Sequence, residues 1–176
     1  MTGDVGKIYA DALFELCVES DSVETVHTEL NQCCKVFDDN PELVKLLSSP
    51  VILNDEKKNV INSIFGNSGT VHDFICLVTD KKRISFFDKM TENFNIRYNN
   101  YKNIAEMTVI TSIPLKKELC DRLIKKLEEK SGKTVKLTQE VDPAIIGGLI
   151  LKQGNTLFDN SVRGRLDADA KQLKIQ

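Results

Sequence analysis

Apolar side chains recur at helical spacing from the start of the chain, and the first segment shows the pattern most clearly. Its main apolar row repeats every three or four residues and consists of Val5, Ile8, Tyr9, Ala12, Leu13, Leu16 and Cys17. This spacing predicts an α-helix with one buried face. A second row runs beside it and consists of Ala10, Phe14 and Val18. Since a surface helix needs only one apolar stripe, we expect this helix to bury two sides, both in its own core or one against a partner.

Helical periodicity continues through five further segments, which we place at residues 23–37, 41–47, 54–65, 71–79 and 84–101. Their ends carry ordinary helix signals, such as Pro41 at a first helical position and Gly66 after a last turn. The fifth segment contains the run 74–78, which is apolar on every side and favours a central helix over a short strand. Six helices in this part of the chain predict a compact bundle.

The pattern changes at Ala105, where β-like segments begin. Alternating and β-branched residues predict strands at 107–111, 135–137, 145–152 and 157–158, with a hairpin turn at Gly154 and Asn155 before the last one. Helices are expected at 114–131 and from a cap within 159–161 to residue 173. The chain is therefore predicted to be α+β. A six-helix bundle over residues 1–104 precedes a small α/β domain over residues 105–176, with a short sheet and two helices. A core of ~70 residues is marginal alone, so we expect support from the bundle or a partner.

Composition and charge narrow the function without defining it. The chain has 41% hydrophobic and 28% charged residues, a net charge of −2 and a pI near 5.8. This balance argues against a dedicated nucleic-acid binder, and the only three-residue basic run, 81–83, is expected to be a solvated helix end or turn. No stretch reaches the ~20 apolar residues of a membrane span, and the N-terminus lacks the pattern of a signal peptide. We therefore expect a cytosolic protein that meets a membrane only through a partner.

Cysteine and histidine indicate no metal site. The five cysteines, at positions 17, 33, 34, 76 and 120, have no Cys-x-x-Cys spacing, and their odd number fits a reducing compartment. We expect neither His27 nor His72 to be a metal ligand, because we assign neither of them a cysteine or a second histidine at a ligand spacing. We therefore predict that the protein holds no metal ion.

Catalytic motifs are also missing from the sequence. Gly147-Gly148 precedes a strand instead of a helix, which argues against a phosphate-binding loop and indicates a bulge or close backbone packing. Asp142 and Asp159 flank the hairpin, but a turn before a proline and a helix cap account for them better than acid–base chemistry. The second domain also carries basic residues, interpreted as a solvated face or a rim that meets an acidic partner: Lys125, Lys126, Arg163, Arg165 and Lys171. We predict no catalytic residue and no cofactor.

Surplus apolar surface is the main functional signal in the pattern. The first helix has its second apolar row, and the fifth helix is apolar all round. If the two helices lie side by side, a groove between them suits an amphipathic helix of another protein. Periodicity alone supports equally well a central position of both helices in the bundle.

Three sets of residues carry a resemblance to a known family. Tyr9-Ala10 is followed by Ala12-Leu13-Phe14 near the start, and Asp80-Lys81-Lys82-Arg83-Ile84 stands at the turn after the fifth helix. The most specific set combines Val135-Lys136-Leu137, Asp142-Pro143, Gly147-Gly148 and Gly154 with Asp159-Asn160-Ser161-Val162-Arg163-Gly164-Arg165-Leu166. In order and spacing, the chain resembles, nearly from end to end, the delta subunit of the bacterial F-type ATP synthase. That subunit is the counterpart of the mitochondrial oligomycin-sensitivity-conferring protein.

The resemblance implies a non-catalytic stator subunit. In this family a six-helix bundle sits on top of the catalytic head, where a groove between the first and fifth helices takes an N-terminal helix of an alpha subunit. The C-terminal domain holds the ends of the b subunits. The head then does not turn with the rotor, and proton or sodium flow is converted into ATP synthesis. The resemblance thus implies a peripheral protein on the cytoplasmic side of the cell membrane, without cofactor or nucleic acid.

By the same resemblance, the partner-binding positions are Tyr9, Ala10, Ala12, Leu13 and Phe14, with Leu77 and Val78 opposite. The sequence does not divide the main apolar row between core and partner. Phe14→Asp is expected to weaken binding to the head and to leave the fold mostly intact. Two other interpretations compete. One is a helical-bundle RNA-binding or regulatory module with an accessory α/β domain. The other is a small enzyme that works at the hairpin through Asp142, Asp159 and Arg163.

Overall fold

The computed structural model describes residues 2–154 and 156–164, and the chain forms two compact units. The first unit comprises residues 1–98 and the second residues 99–176. Helices build the first unit, and a four-stranded sheet with a helix builds the described part of the second. The predicted α+β class is therefore confirmed. Asn155 of the predicted hairpin turn and the predicted terminal helix from Arg165 to Leu173 lie outside the described residues.

Six α-helices and one short 3-10 helix precede the sheet. They are α1 (Thr2–Glu19), α2 (Val23–Asp39), α3 (Pro41–Ser48), α4 (Asn54–Phe65), α5 (Thr70–Asp80), the 3-10 helix Ile84–Phe86 and α6 (Phe87–Tyr101). Pro41 begins α3, because a first helical position needs no N–H donor and suits the fixed φ of proline. The run 74–78 lies within α5, so its helical interpretation is confirmed and the strand is excluded.

The core of the first unit draws side chains from every one of these helices. Its largest fully buried members are Leu30, Leu47, Ile61, Ile75, Ile84, Met90 and Phe94. From α1, Phe14 reaches the same core, and its ring meets that of Phe94 edge to face with centroids 5.4 Å apart. Each apolar side chain buried in this way contributes about 1.5–3 kcal/mol. The first unit therefore has a continuous core of its own.

α5 ends in a Schellman motif that uses lysine where glycine is usual. Lys82 has a φ of +58°, and its N–H donates to the carbonyl of Thr79 at 2.9 Å. The N–H of Arg83 donates to the carbonyl of Val78, also at 2.9 Å. These bonds satisfy carbonyls that the last helical turn leaves without an intrahelical donor. The basic run 81–83 is therefore a helix end, as the sequence indicates.

The sheet of the second unit has the strand order β2-β1-β3-β4. Its strands are β1 (Ile104–Thr111), β2 (Thr134–Val141), β3 (Gly148–Gln153) and β4 (Thr156–Ser161), with α7 (Lys117–Ser131) after β1 and a 3-10 helix (Pro143–Ile145) before β3. β1 and β2 are parallel and are joined by α7, whereas β3 is antiparallel to both β1 and β4. α7 covers one face of the sheet, where it packs with Ala105, Met107 and Val135. It begins at Lys117 and not at Pro114, since Lys116 is still extended.

Gly148 lies where β3 and β4 approach each other closely. Its φ is +82°, and a Cβ built on it would lie 3.0 Å from the Cα of Ser161 and closer still to the carbonyl oxygen of Asn160. Any side chain at this position would therefore collide with the backbone of β4. The interpretation of Gly147-Gly148 as a site of close backbone packing is confirmed at Gly148.

Candidate functional site

An apolar groove lies between α1 and α5 in the first unit. It is lined by Ile8, Tyr9, Ala12, Leu13, Leu16, Thr70, Asp73, Phe74 and Leu77, and its volume is about 530 Å³. Ile8, Leu16 and Leu77 are 56%, 58% and 48% exposed, whereas Leu13 and Phe74 are buried. Contiguous exposure of long apolar side chains is typical of interaction sites. The groove is therefore the main candidate functional site.

A four-residue spacing on α1 produces one side of this groove. Ile8, Ala12 and Leu16 follow one another at i, i+4 and i+8, so their side chains lie along one side of the helix. The central position is alanine, whose short side chain leaves room between two long ones. On α5, Phe74 and Leu77 are three residues apart, so their side chains lie on the same side of the helix. An elongated apolar groove of this kind suits the apolar face of an amphipathic helix.

Polar groups occupy the edge of the groove. The Tyr9 ring meets Phe74 edge to face with centroids 6.4 Å apart. The Arg83 guanidinium lies over the Tyr9 ring, 5.5 Å from its centroid, and Nη1 donates to the Tyr9 hydroxyl oxygen at 3.4 Å. Asp73 is largely exposed, and its Oδ1 lies 3.0 Å from Nδ1 of His72. The groove thus combines apolar walls with a cation and a carboxylate.

Four of the seven positions predicted from the resemblance line the groove: Tyr9, Ala12, Leu13 and Leu77. The other three are buried in the core of the first unit: Ala10, Phe14 and Val78. Each residue of an α-helix turns the side chain by about 100°, so Ala10 and Phe14 point away from the side that carries Ile8 and Ala12. The burial of these three side chains, which do not line the groove, argues against the expectation that they contact a partner directly. It also moves Phe14→Asp from a test of binding to a test of folding.

Sequence reasoning does not assign five of the lining residues to the groove: Ile8, Leu16, Thr70, Asp73 and Phe74. Ile8 and Leu16 belong to the main apolar row of the first helix, which the pattern does not divide. Ile8 and Leu16 are eight residues apart with Ala12 midway, and this spacing marks the groove side of the helix. It can be recognised only after Leu13 and Cys17 are found buried on the core side. Thr70 and Asp73 have no apolar signal at all.

The carboxylates that flank the predicted hairpin have structural roles. Asp142 accepts a hydrogen bond from the N–H of Ala144 at 2.9 Å, and Asp159 accepts one from the N–H of Ser161 at 2.8 Å. Hydrogen bonds from the side chain and backbone of Ser161 lower the pKa of Asp159. Ser161 Oγ in turn accepts from the N–H of Gly164 at 3.0 Å and caps the helical residues 162–164. Both carboxylates thus accept from neighbouring backbone N–H groups. Asp142 lies in the turn at Pro143 as expected, whereas the helix cap expected at Asp159 is Ser161 instead.

The thiols and imidazoles show no reactive arrangement in the described chain. All five cysteines are free, and burial raises the pKa of Cys33 to about 11 and also raises that of Cys17, which disfavours the thiolate. His72 and Cys76 are one helical turn apart, so the expectation that His72 has no cysteine at a ligand spacing is wrong. Cys76 Sγ lies 3.7 Å from His72 Nε2, and Asn62 Oδ1 lies 2.7 Å from the same nitrogen. Within residues 2–154 and 156–164, no group of three His, Cys, Asp or Glu side chains is placed to hold a metal ion.

A second apolar surface lies at one end of the sheet. β1, β2 and β4 end there and β3 begins there, because β3 is antiparallel to both of its neighbours. Exposed apolar side chains gather in the segments that adjoin this end: Ile113, Leu119, Val141, Ile146 and Val162. We call these five residues the sheet-end patch. They come from separate parts of the chain, and the sheet topology places their segments at the same end of the sheet.

Ile146 of the sheet-end patch also has a strained backbone. Its φ is +66° and its ψ is −43°, and the N–H of Gly147 donates to the carbonyl of Ile145 at 2.7 Å. This is the rare γ-turn with positive φ. A β-branched residue adopts such a conformation at a cost, so its presence on the surface calls for a reason.

Comparison with known proteins identifies the family. The family model described as ATP synthase delta (OSCP) subunit matches residues 5–173. The chain belongs to this family. The ATP synthase subunit delta of Alkaliphilus metalliredigens is 36% identical over 171 residues, which cover 96% of this chain and 95% of that protein. The ATP synthase subunit delta of Lactobacillus johnsonii is 33% identical over 172 residues, which cover 97% of this chain and 94% of that protein.

A solved structure has the same fold. A chain of the Toxoplasma gondii mitochondrial ATP synthase hexamer matches with a TM-score of 0.75 at 20% sequence identity, and the match covers 96% of each chain. As a member of the delta (OSCP) family, the chain is a non-catalytic stator component of the peripheral stalk of ATP synthase. The RNA-binding and enzyme interpretations are therefore not supported. In the described part of the chain, no helix has the length and apolar character of a membrane span.

Proposed function

We propose that the groove between α1 and α5 holds the N-terminal helix of an alpha subunit and that the second unit holds the ends of the b subunits. In this arrangement the six helices form a bundle on top of the catalytic head. The chain links that head to the peripheral stalk, so that proton or sodium flow is coupled to ATP synthesis. It is peripheral, on the cytoplasmic side of the membrane. The observation that carries the proposal is an apolar groove, edged by exposed Ile8, Leu16 and Leu77, in a member of the delta family.

The groove has the properties that a contact under torque requires. Such a contact must dissociate slowly, and slow dissociation comes from buried apolar anchors more than from charges at the rim. Covering the exposed half of Leu77 contributes roughly 1 kcal/mol, and Ile8 and Leu16 add similar amounts. Leu13 and Phe74 provide a floor that is already packed in the free chain, so little ordering is needed on binding.

The sheet-end patch supports the proposed role of the second unit. In the described part of this unit six apolar side chains are buried: Ala105, Met107, Val109, Ile110, Val135 and Ile145. A unit of this size is marginal on its own. A b-subunit helix that covers the patch adds the apolar burial that the unit lacks, so the same contact joins it to the stalk and stabilises it.

Leu77→Asp in the full-length chain tests the groove. We expect at least about a tenfold loss of affinity for a synthetic peptide of the cognate alpha-subunit N-terminus, because a buried aspartate would have no partner. Isothermal titration calorimetry measures Kd and the stoichiometry, which we expect to be one to one. Ile96→Asp is the matched control, since Ile96 is 53% exposed on α6 and does not line the groove.

The control separates a groove effect from a general effect of charge. Wild-type affinity in Leu77→Asp would refute the proposed site, and equal losses in both variants would point to net charge alone. Circular dichroism of each variant establishes that it is folded. If Leu77→Asp does not fold, Leu16→Ser replaces it, because this change shortens an exposed groove side chain without adding charge.

A further inference from the structure

We propose that Arg83 selects the partner helix by pairing with a carboxylate on its flank, next to the residues that enter the groove. This inference rests on the proposed function of the groove and adds the chemistry of its occupant. The occupant is an amphipathic helix whose apolar face is bordered, at the Tyr9 edge of the groove, by an aspartate or glutamate.

Backbone hydrogen bonds hold the main chain of Arg83 in place. Its N–H donates to the carbonyl of Val78 at 2.9 Å, and its carbonyl accepts from the N–H of Phe86 at 3.0 Å. The next residue, Ile84, is buried in the core of the first unit. Arg83 is thus held between the end of α5 and the following 3-10 helix. None of these restraints uses its guanidinium.

The guanidinium is positioned by Tyr9, a groove residue, and has unused donors. It lies over the Tyr9 ring, and one of its five N–H groups reaches the Tyr9 hydroxyl. None of the ion pairs between described residues includes Arg83. Stacking on an aromatic ring restricts the side chain before a partner arrives, which reduces the entropic cost of a new contact. Arg83 is therefore a preorganised cation without a carboxylate partner in the described chain.

A helix in the groove makes this cation selective. It covers Tyr9 and Leu77 and removes water from one side of the guanidinium, so a carboxylate there is held more strongly than in free solvent. A lysine or arginine at the same place is repelled. Asp73 lines another part of the groove and has the opposite preference. The two charges together favour one direction of the bound helix over the other.

Calorimetry of the full-length chain with the alpha-subunit peptide, at low and at high salt, tests the pairing. Arg83→Gln is expected to raise Kd roughly five- to tenfold at low salt and to reduce its dependence on salt. Arg83→Lys should recover only part of the affinity, because it keeps the charge and loses the planar fork. Lys82→Gln is the matched control. It removes the same charge from the neighbouring residue, for which no contact with Tyr9 is found in the described chain.

A charge exchange identifies the residue on the partner. In a set of peptides, each Asp or Glu is changed in turn to Lys. One of these changed peptides is expected to bind the wild-type chain weakly. The same peptide should bind the Arg83→Glu variant more tightly than the unchanged peptide binds that variant. Circular dichroism of the Arg83 variants checks that the end of α5 is intact.

The outcomes separate this inference from the function on which it rests. If Leu77→Asp abolishes binding while Arg83→Gln binds like the wild type, the groove stands and the pairing is wrong. The pairing is also wrong if Lys82→Gln weakens binding as much as Arg83→Gln, or if a peptide without acidic residues binds with full affinity. If the wild type does not bind the cognate peptide, both proposals fail.

Discussion

At the residue scale, two large apolar side chains on α1 have opposite surroundings. Ile8 is more than half exposed at the groove, whereas Phe14 is buried and its ring meets that of Phe94. The two differ in their direction around the helix axis and not in their apolar character. Residue type alone therefore does not decide between core and interface, and the neighbours of each side chain do.

Phe14→Ala is expected to lower the free energy of unfolding by about 3–5 kcal/mol, because the ring is lost and the cavity cannot fully collapse. Urea unfolding followed by circular dichroism measures the change. Ile8→Ala is the control on the same helix and should change stability by about 0.5 kcal/mol or less. Similar stabilities of Phe14→Ala and the wild type would show that the ring does not belong to the core.

At the element scale, an ion pair joins α1 to α6. Arg97 Nε donates to Asp11 Oδ1 at 2.7 Å, and both side chains are partly exposed. The hydrogen bond from Arg97 lowers the pKa of Asp11 below its ordinary value and raises the pKa of Arg97. α1 is thus held by the apolar core and by this pair. The side that carries Ile8, Ala12 and Leu16 remains available.

Asp11→Asn is expected to reduce stability near neutral pH by about 1 kcal/mol or less, since the pair is partly screened by solvent. A carboxyl group with a lowered pKa stabilises the fold fully above its unfolded pKa, near 3.8, and loses this effect as pH falls through the folded value. The difference between wild type and variant should therefore be constant around neutrality and vanish in acid. Urea unfolding over a pH series measures it, with Glu19→Gln as the control on the same helix. A difference that grows on acidification would contradict the assignment.

At the whole-molecule scale, the two units differ in their balance of core and exposed apolar surface. Six α-helices contribute side chains to the core of the first unit, whereas the second has a small described core and the sheet-end patch. Ile146 in that patch is 66% exposed and strained. Strained backbone of this kind is concentrated at functional sites, so Ile146 supports the proposed contact of the second unit with the stalk.

Ile146→Gly is expected to stabilise the free chain by about 1 kcal/mol, because glycine adopts the positive φ of this γ-turn without strain. The same change should weaken binding to the b subunits, since it removes an exposed apolar side chain. Thermal unfolding and sedimentation with a soluble b-subunit fragment measure the two effects. Ile113→Gly is the control, because Ile113 is exposed without a positive φ and its change to glycine should not stabilise. Loss of stability in Ile146→Gly would mean that the side chain packs in the free chain.

Local patterns predict elements in this chain more reliably than they predict which face of an element is exposed. Apolar spacing places the helix of residues 74–78, and the side-chain oxygen of Ser161 provides one of the predicted caps. Whether Leu16 and Phe14 are exposed or buried depends instead on which helices pack beside α1. The apolar spacing of α1 contains no signal for that. The Arg83 contact with Tyr9 and the sheet-end patch join residues far apart in sequence. Periodicity within a single sequence does not predict such contacts.

The exposed groove also has a consequence for copies of the chain that are made in excess of the other subunits. In the free chain Ile8, Leu16 and Leu77 face water, and such a patch is prone to self-association and is the kind of surface that chaperones and proteases recognise. Occupation hides the patch. The proposed occupation of the groove therefore predicts that these residues mark copies outside the complex for removal.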